Sequence, residues 1–342
     1  MDNDKVLITG GAGFIGSNLA ASLCEAGYSV RIFDNLSRPG SPINLNWLQD
    51  NYSNFEFCEG DIRDNKSVVE AISGIHTVFH FASQVAVTSS VSDPRSDFDI
   101  NTIGTINLLE AARKSKRKPI LVFTSTNKVY GALDYLTVNE LETRYEFQDF
   151  PNGISEKTTL DFHSPYGCSK GAADQYMRDY ARIYDIPTIV FRMSCIYGTR
   201  QFGTEDQGWI AHLLISIIKN HPITIFGNGK QVRDLLWVED LVRAFRLAVE
   251  HIDITKGQIY NIGGGPANSI SIWKEFGELS EELVGHSIDV QYAATRPGDQ
   301  KIYISDTTKA KTDFGWQPNI NREAGISKLY HWLLDNKSLI PD

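Results

Sequence analysis

At 342 residues the chain exceeds the size at which one hydrophobic core usually stops growing, so a nucleotide domain with a smaller companion lobe is expected. Apolar residues at 42% and charged residues at 22% exclude the disordered and fibrous classes. A net charge of -9, with basic side chains clustered only at Arg113, Lys114, Lys116, Arg117 and Lys118, speaks against a nucleic-acid or anionic-membrane partner.

In chain order, β-rich runs at 6–9, 30–33, 55–57, 77–80 and 120–123 alternate with helical patterns, among them 14–26 and 98–114. A helical pattern at 166–184 and a further buried run at 188–192 continue the alternation. This predicts an α/β fold, a Rossmann-type doubly wound parallel sheet with a smaller C-terminal substrate-binding lobe. The expected division is 1–195 for the dinucleotide domain, with a sheet contribution returning from about 222–262, and 196–342 mainly for the substrate lobe. Helices are expected there near 209–219, 239–249, 272–284 and 322–336. Segment 134–162 has no clear period and is expected to be a long excursion near the active site.

The first run leads into T-G-G-A-G-F-I-G, so Gly10, Gly13 and Gly16 precede and open the first helix, where backbone closely approaches a pyrophosphate. Asp34 ends the second run about 20 residues on, placed to accept hydrogen bonds from the adenosine ribose hydroxyls. A carboxylate there favours NAD, although Arg38, four residues on, would suit a 2′-phosphate in another loop geometry. Asp61 and Ile62 are placed to flank the adenine, and Phe81, Ala82 and Ser83 to run beside the phosphates. After the fifth run comes Thr126 in F-T-S-T-N-K-V-Y-G, then Tyr166 and Lys170 in Y-G-C-S-K. At i,i+4 the last two share a helical face, where an ammonium favours the ionised phenol and makes Tyr166 a general base.

With these residues assembled, the chain resembles the extended short-chain dehydrogenases/reductases of the nucleotide-sugar epimerase and dehydratase group over nearly its whole length. The strings E-T-R-Y, P-N-G, D-F-H-S-P-Y-G-C-S-K, D-Q-G-W and G-N-G-K-Q-V-R-D are similar to the branch that inverts C2 of a CDP-linked sugar. The resemblance implies that Thr126 binds the hydroxyl being oxidised, Tyr166 takes its proton and Lys170 binds the nicotinamide ribose. It also implies that Phe14, Ile15, Asn35, Ser37, Asn101 and Thr124 complete the NAD site, and that Gln84, Cys195, Arg200 and Gln201 line the sugar or nicotinamide pocket. Arg233 and Arg296, in Q-V-R-D and T-R-P-G-D, are the candidates for the substrate diphosphate, against a structural pairing with Asp234 or Asp299.

Related dehydratases carry Asp-Glu after the threonine, whereas this chain has Asn127 and Lys128, so elimination of water lacks its acid and base. The expected activity is transient oxidation at C2 of a CDP-linked 3,6-dideoxyhexose. A 4-epimerase or 4-keto reductase is the alternative within the fold. A dinucleotide sensor is the alternative from another class, marked by loss of Tyr166 or Lys170, and both are present. Cys24, Cys58, Cys168 and Cys195 show no C-x-x-C spacing and are expected as free thiols in the cytoplasm. His80, on a strand, is expected to be a satisfied core residue, and no metal is expected. The family likeness implies a homodimer or homotetramer built on 98–114 and 166–184.

Overall fold

The computed structural model describes residues 5–295 and 299–341. Seven strands, numbered along the chain, form one sheet: β1 Lys5–Thr9, β2 Ser29–Asp34, β3 Phe55–Glu59, β4 Thr77–His80, β5 Ile120–Thr126, β6 Thr188–Met193 and β7 Gln258–Ile262. Their order is β3-β2-β1-β4-β5-β6-β7, every neighbouring pair parallel. Strands buried on both sides need apolar side chains at successive positions. Accordingly Val6, Ile8, Phe79, Val122 and Phe191 enter the core on one face, and Leu7, Val78, Leu121, Phe123 and Val190 the core on the other. The strand order reverses between β1 and β4, which opens a crevice at their C-terminal ends.

Of the region 222–262 expected to return to this sheet, only β7 does so. Ile223–Phe226 pairs with Val290–Ala293. Val232–Trp237 is the hub of another small sheet, flanked by Ser269–Ser271, Ile302–Tyr303 and Cys195–Tyr197. A third apolar cluster around Leu214, Leu235, Trp237, Phe276 and Leu329 forms the core of that lobe.

The helix expected over 98–114 is continuous from 94 but changes register within it, as Pro94–Phe98, a π-helical turn Asp99–Ile103 and Gly104–Lys114. A Cβ at Gly104 would lie 2.7 Å from the Ile62 side chain, so the helix lies tightly against the loop after β3 just past the π-helical turn. The excursion after β5 contains an antiparallel hairpin, Val138–Glu140 with Tyr145–Phe147. Its ends meet, since Asp161 N–H donates to the Val129 carbonyl at 3.0 Å. Its body packs on the small lobe, with Ile154 N–H donating to Ile304 at 2.7 Å and Tyr145 N–H to Lys230 at 3.0 Å. No helix among the described residues is long and apolar enough to cross a membrane.

Candidate active site

The crevice at the strand reversal holds the glycine motif. Gly10 leaves β1 with φ +70°, and a Cβ there would lie 2.7 Å from the backbone nitrogen of Ala82, just beyond β4. A Cβ at Gly16 would lie 2.3 Å from the Gly10 carbonyl oxygen. Any side chain at either place would fill the cradle or break the turn. Gly13 caps the helix Phe14–Glu25 without a side-chain hydrogen bond, and no acidic residue stands in its first turn. The first N–H groups of that helix are therefore left without a side-chain cap or a neighbouring carboxylate, which suits them to an anion. Phe14 and Ile15 are half-buried in that turn.

Asp34 ends β2 buried, its two carboxylate oxygens accepting from the backbone N–H of Ala12 at 3.1 Å and of Leu36 at 2.8 Å. Burial pushes its pKa up, and these backbone donors oppose the shift. The remaining lone pairs suit hydroxyl donors, and a phosphate in their place would meet a fixed carboxylate. These residues fit a dinucleotide with free ribose hydroxyls. Asn35 Nδ2 donates to Asp61 at 2.9 Å and its own Oδ1 accepts from Ser37 N–H at 3.2 Å, which ties the loops after β2 and β3 together. Asp61 is bound by Arg63 at 2.7 Å, and that guanidinium holds its carboxyl well below the ordinary range; Ile62 is buried beside it. Arg38 lies on an exposed stretch yet interacts electrostatically with Tyr166 across the crevice.

On the other side of the crevice, Thr126 ends β5 and Tyr166 lies in the first turn of the helix Ser164–Tyr184, both buried and close enough for the Thr126 hydroxyl to act on the phenol, while that hydroxyl donates to Asn127 Oδ1 at 3.3 Å. Burial lifts the Tyr166 phenol to about 12, with the Thr126 hydroxyl working against it. Lys170, one turn on, is also buried, and its ammonium stands 4.2 Å from the centroid of Phe123. Burial brings Lys170 down to about 7, while Asp97 and Asp174 pull it back up. Asp97 was invisible to motif reading. It is fully buried, one oxygen accepting from Asn101 Nδ2 at 3.1 Å, and its only sequence signal is an i,i+4 spacing to Asn101. Asn101 sits in the π-helical turn and also bonds Ser169 Oγ at 3.1 Å, Ser83 Oγ at 2.8 Å and Gln84 N–H at 2.9 Å. It thereby joins the loop after β4, which carries Phe81, Ala82, Ser83 and Gln84, to the helix bearing Tyr166.

His80 is the core histidine of this region. The Thr9 hydroxyl lies 2.7 Å from its Nδ1, and its Nε2 lies 3.1 Å from Thr105 Oγ1, which itself donates to the Asn101 carbonyl at 2.6 Å. With Thr105 already donating, Nε2 carries the proton and Nδ1 accepts. Burial and the nearby Lys170 depress its pKa to about 3 from an ordinary 6.5. A histidine held neutral stabilises the fold fully above its unfolded pKa, and that contribution is lost as pH falls toward the folded value. Stability measured by urea unfolding is expected to drop by about 1.4 kcal/mol per pH unit below pH 6.5. In His80→Gln that slope should flatten between about pH 6.5 and 5; an unchanged slope would place the titrating group elsewhere. Thr124 Oγ1 donates to the His80 carbonyl at 3.3 Å, locking β5 to β4 at the crevice floor.

The substrate candidates divide. Arg233 is buried on Val232–Trp237, and its guanidinium donates to Asp299 at 2.7 Å and to the Val232 carbonyl at 2.8 Å. Of the two structural partners weighed for it, Asp299 is the one it meets; Asp234 is buried and accepts from Gly265 N–H at 3.1 Å. Arg296 lies outside the described residues. Cys195 is half-buried, its thiol pushed up by burial and close enough to Arg233 and Lys128 to feel both charges. Gln201 is buried and donates to the Ile196 carbonyl at 3.3 Å. The Arg200 guanidinium is 4.0 Å from the ring centroid of Trp47 and 5.4 Å from that of Trp332. All four cysteines are free, and among the described residues no three His, Cys, Asp or Glu side chains converge as a metal set would.

Residues 7–329 match the family model described as GDP-mannose 4,6 dehydratase. The chain is 45% identical to a CDP-paratose 2-epimerase of Salmonella typhi over 335 residues, 96% of this chain and 98% of that protein. Among solved structures it is similar to a UDP-glucose 4-epimerase of Thermotoga maritima with UDP-glucose, at TM-score 0.84 and 32% identity, covering 97% of this chain and 99% of the other. It is also similar to a UDP-glucuronic acid 4-epimerase of Bacillus cereus in complex with UDP-glucuronic acid and NAD, at TM-score 0.84, 28% identity and the same coverage.

Proposed function

The chain belongs to the GDP-mannose 4,6-dehydratase family, the extended short-chain dehydrogenases/reductases, and from that premise we propose that it is an NAD-dependent epimerase converting CDP-paratose to CDP-tyvelose. The observation that carries the reading is the buried Thr126–Tyr166 pair, followed by Asn127 and Lys128 where an acid and a base would be needed to expel water. Its C2 and CDP specificity rest on the likeness to the Salmonella enzyme.

Gly10, Gly13 and Gly16 would admit the pyrophosphate of NAD to the Phe14–Glu25 helix, and Asp34 would take the adenosine ribose. NAD supplies a hydride acceptor that is restored within each turnover. A 3,6-dideoxyhexose offers no ketone beside C2, since C1 is held as the glycosyl phosphate and C3 has no hydroxyl, so oxidation at C2 itself is the available route. Thr126 orients the 2-hydroxyl, Tyr166 removes its proton and gives it back to the same oxygen after the sugar has turned its other face so that hydrogen is restored to C2 from the opposite side, and Lys170 holds the nicotinamide ribose while favouring the ionised phenol. The cytoplasm as location, and a homodimer or homotetramer as assembly, complete the reading.

The test is an NMR assay of the purified protein with CDP-paratose, CDP-glucose and UDP-glucose, without added cofactor. Inversion at C2 of a CDP-sugar is the expected result. Inversion at C4, net reduction, or an untouched sugar would overturn it.

A further inference from the structure

Lys128 has no part in the reaction as derived, yet it is fixed beside its centre. Its backbone N–H donates to Thr126 Oγ1 at 3.2 Å. Its carbonyl oxygen lies 3.4 Å from where a Cβ of Gly167 would be, against the residue that follows Tyr166. The side chain is half-buried, and Arg233, Asp299 and Cys195 of the small lobe are near enough to act on its charge. Two cations, from the end of β5 and from Val232–Trp237, thus share the neighbourhood of one carboxylate, and Arg233 already contacts that carboxylate at 2.7 Å.

Where the diphosphate must lie depends on which carbon reacts. In a hexopyranose C4 is across the ring from the anomeric carbon, whereas C2 is bonded to it. Presenting C2 to Thr126 and Tyr166 therefore carries the glycosyl phosphate to within one carbon of the reacting centre. In a partly dry cleft that charge needs a cation close by.

We propose that Lys128 and Arg233 together form the subsite for the sugar-linked phosphate, and that the cation next to Thr126 is what favours C2 of the sugar over C4. The proposal rests on the C2 reading above. Asp299 is then the anion that the phosphate displaces from Arg233. Burial and the neighbouring Arg233 push the Lys128 ammonium down to about 8, so a bound phosphate would also keep it charged.

Calorimetric binding of CDP and CMP to the NAD-loaded wild type, Lys128→Met and Lys128→Arg tests this directly, because only CDP carries the second phosphate. Lys128→Met should weaken CDP by about ten- to a hundredfold and leave CMP unchanged, with Lys128→Arg recovering most of the loss. Its KM for the CDP-sugar should rise in step while bound NAD is retained. Equal weakening of CDP and CMP, or none of either, overturns the subsite even where the wild type inverts C2. A wild type that inverts no C2 centre overturns the reading beneath it.

Discussion

Tyr166→Phe is expected to lower kcat by about 10³-fold or more, the upper part of the range for removing a positioned general base. The ring keeps its buried place at 9% exposure, so folding and NAD retention should be unchanged. What is lost is the buried hydroxyl beside Thr126, the group placed to take the proton from the sugar. Thr126→Val should cost less, about 10- to 100-fold, because it removes an orienting hydrogen bond and leaves the base. Single-turnover rates on enzyme of verified NAD content check both. A Tyr166→Phe rate within about tenfold of wild type would mean that another group takes the proton.

Arg192→Met should destabilise the fold by about 3–5 kcal/mol, the cost of stripping one partner from a buried ion pair. Arg192 on β6 is 2% exposed, and its guanidinium donates to both oxygens of Asp174 at 2.8 and 3.0 Å. A third donation, at 3.1 Å, goes to the hydroxyl of Tyr130, which in turn donates to Asn261 on β7 at 2.7 Å. Without Arg192 the fully buried Asp174 carboxylate would lose its ion-pair partner and, among the described residues, keep only the Gln175 amide as a side-chain donor, at 2.8 Å. Asp174 lies one turn beyond Lys170 on the same helix and acts on its charge, so kcat should fall along with stability. Urea midpoints measure the first effect. The double variant Arg192→Met/Asp174→Leu should regain a large share of the loss, since replacing both charges avoids the orphan. A single-variant loss below about 1 kcal/mol would show that solvent reaches the pair.

The strands could be read from sequence because parallel strands covered on both faces must be apolar at successive positions, as Val6-Leu7-Ile8 and Leu121-Val122-Phe123 are. The glycines were readable for a steric reason, and the short contacts a Cβ would make at Gly10 and Gly16 supply it. Other features follow from three-dimensional neighbours alone. Around the π-helical turn Phe98 and Ile103 are exposed while Asn101 and Thr102 are buried, so the apolar pattern of 98–114 does not reveal where the helix changes register. Arg200 is drawn to Trp47 and Trp332, residues far from it in sequence. Asp97 looks like a surface helix residue until Asn101, Ser169 and Lys170 close over it. Val232–Trp237 is apolar enough to suit the large sheet, but its pairing with Ser269–Ser271 and Ile302–Tyr303 assigns it to the small one.

The outermost strand of the central sheet, β7, is contributed by Gln258–Ile262, after the chain has already laid down Cys195–Tyr197 and Val232–Trp237 of the small lobe. During synthesis at about 5–20 residues per second, β6 therefore leaves the ribosome several seconds before the strand that covers its edge. Over that interval an apolar strand edge is exposed to pairing with a neighbouring nascent chain. A shortened gene ending after β6 would hold the chain in that state permanently, so yields of soluble protein should recover only once the reading frame runs past Ile262.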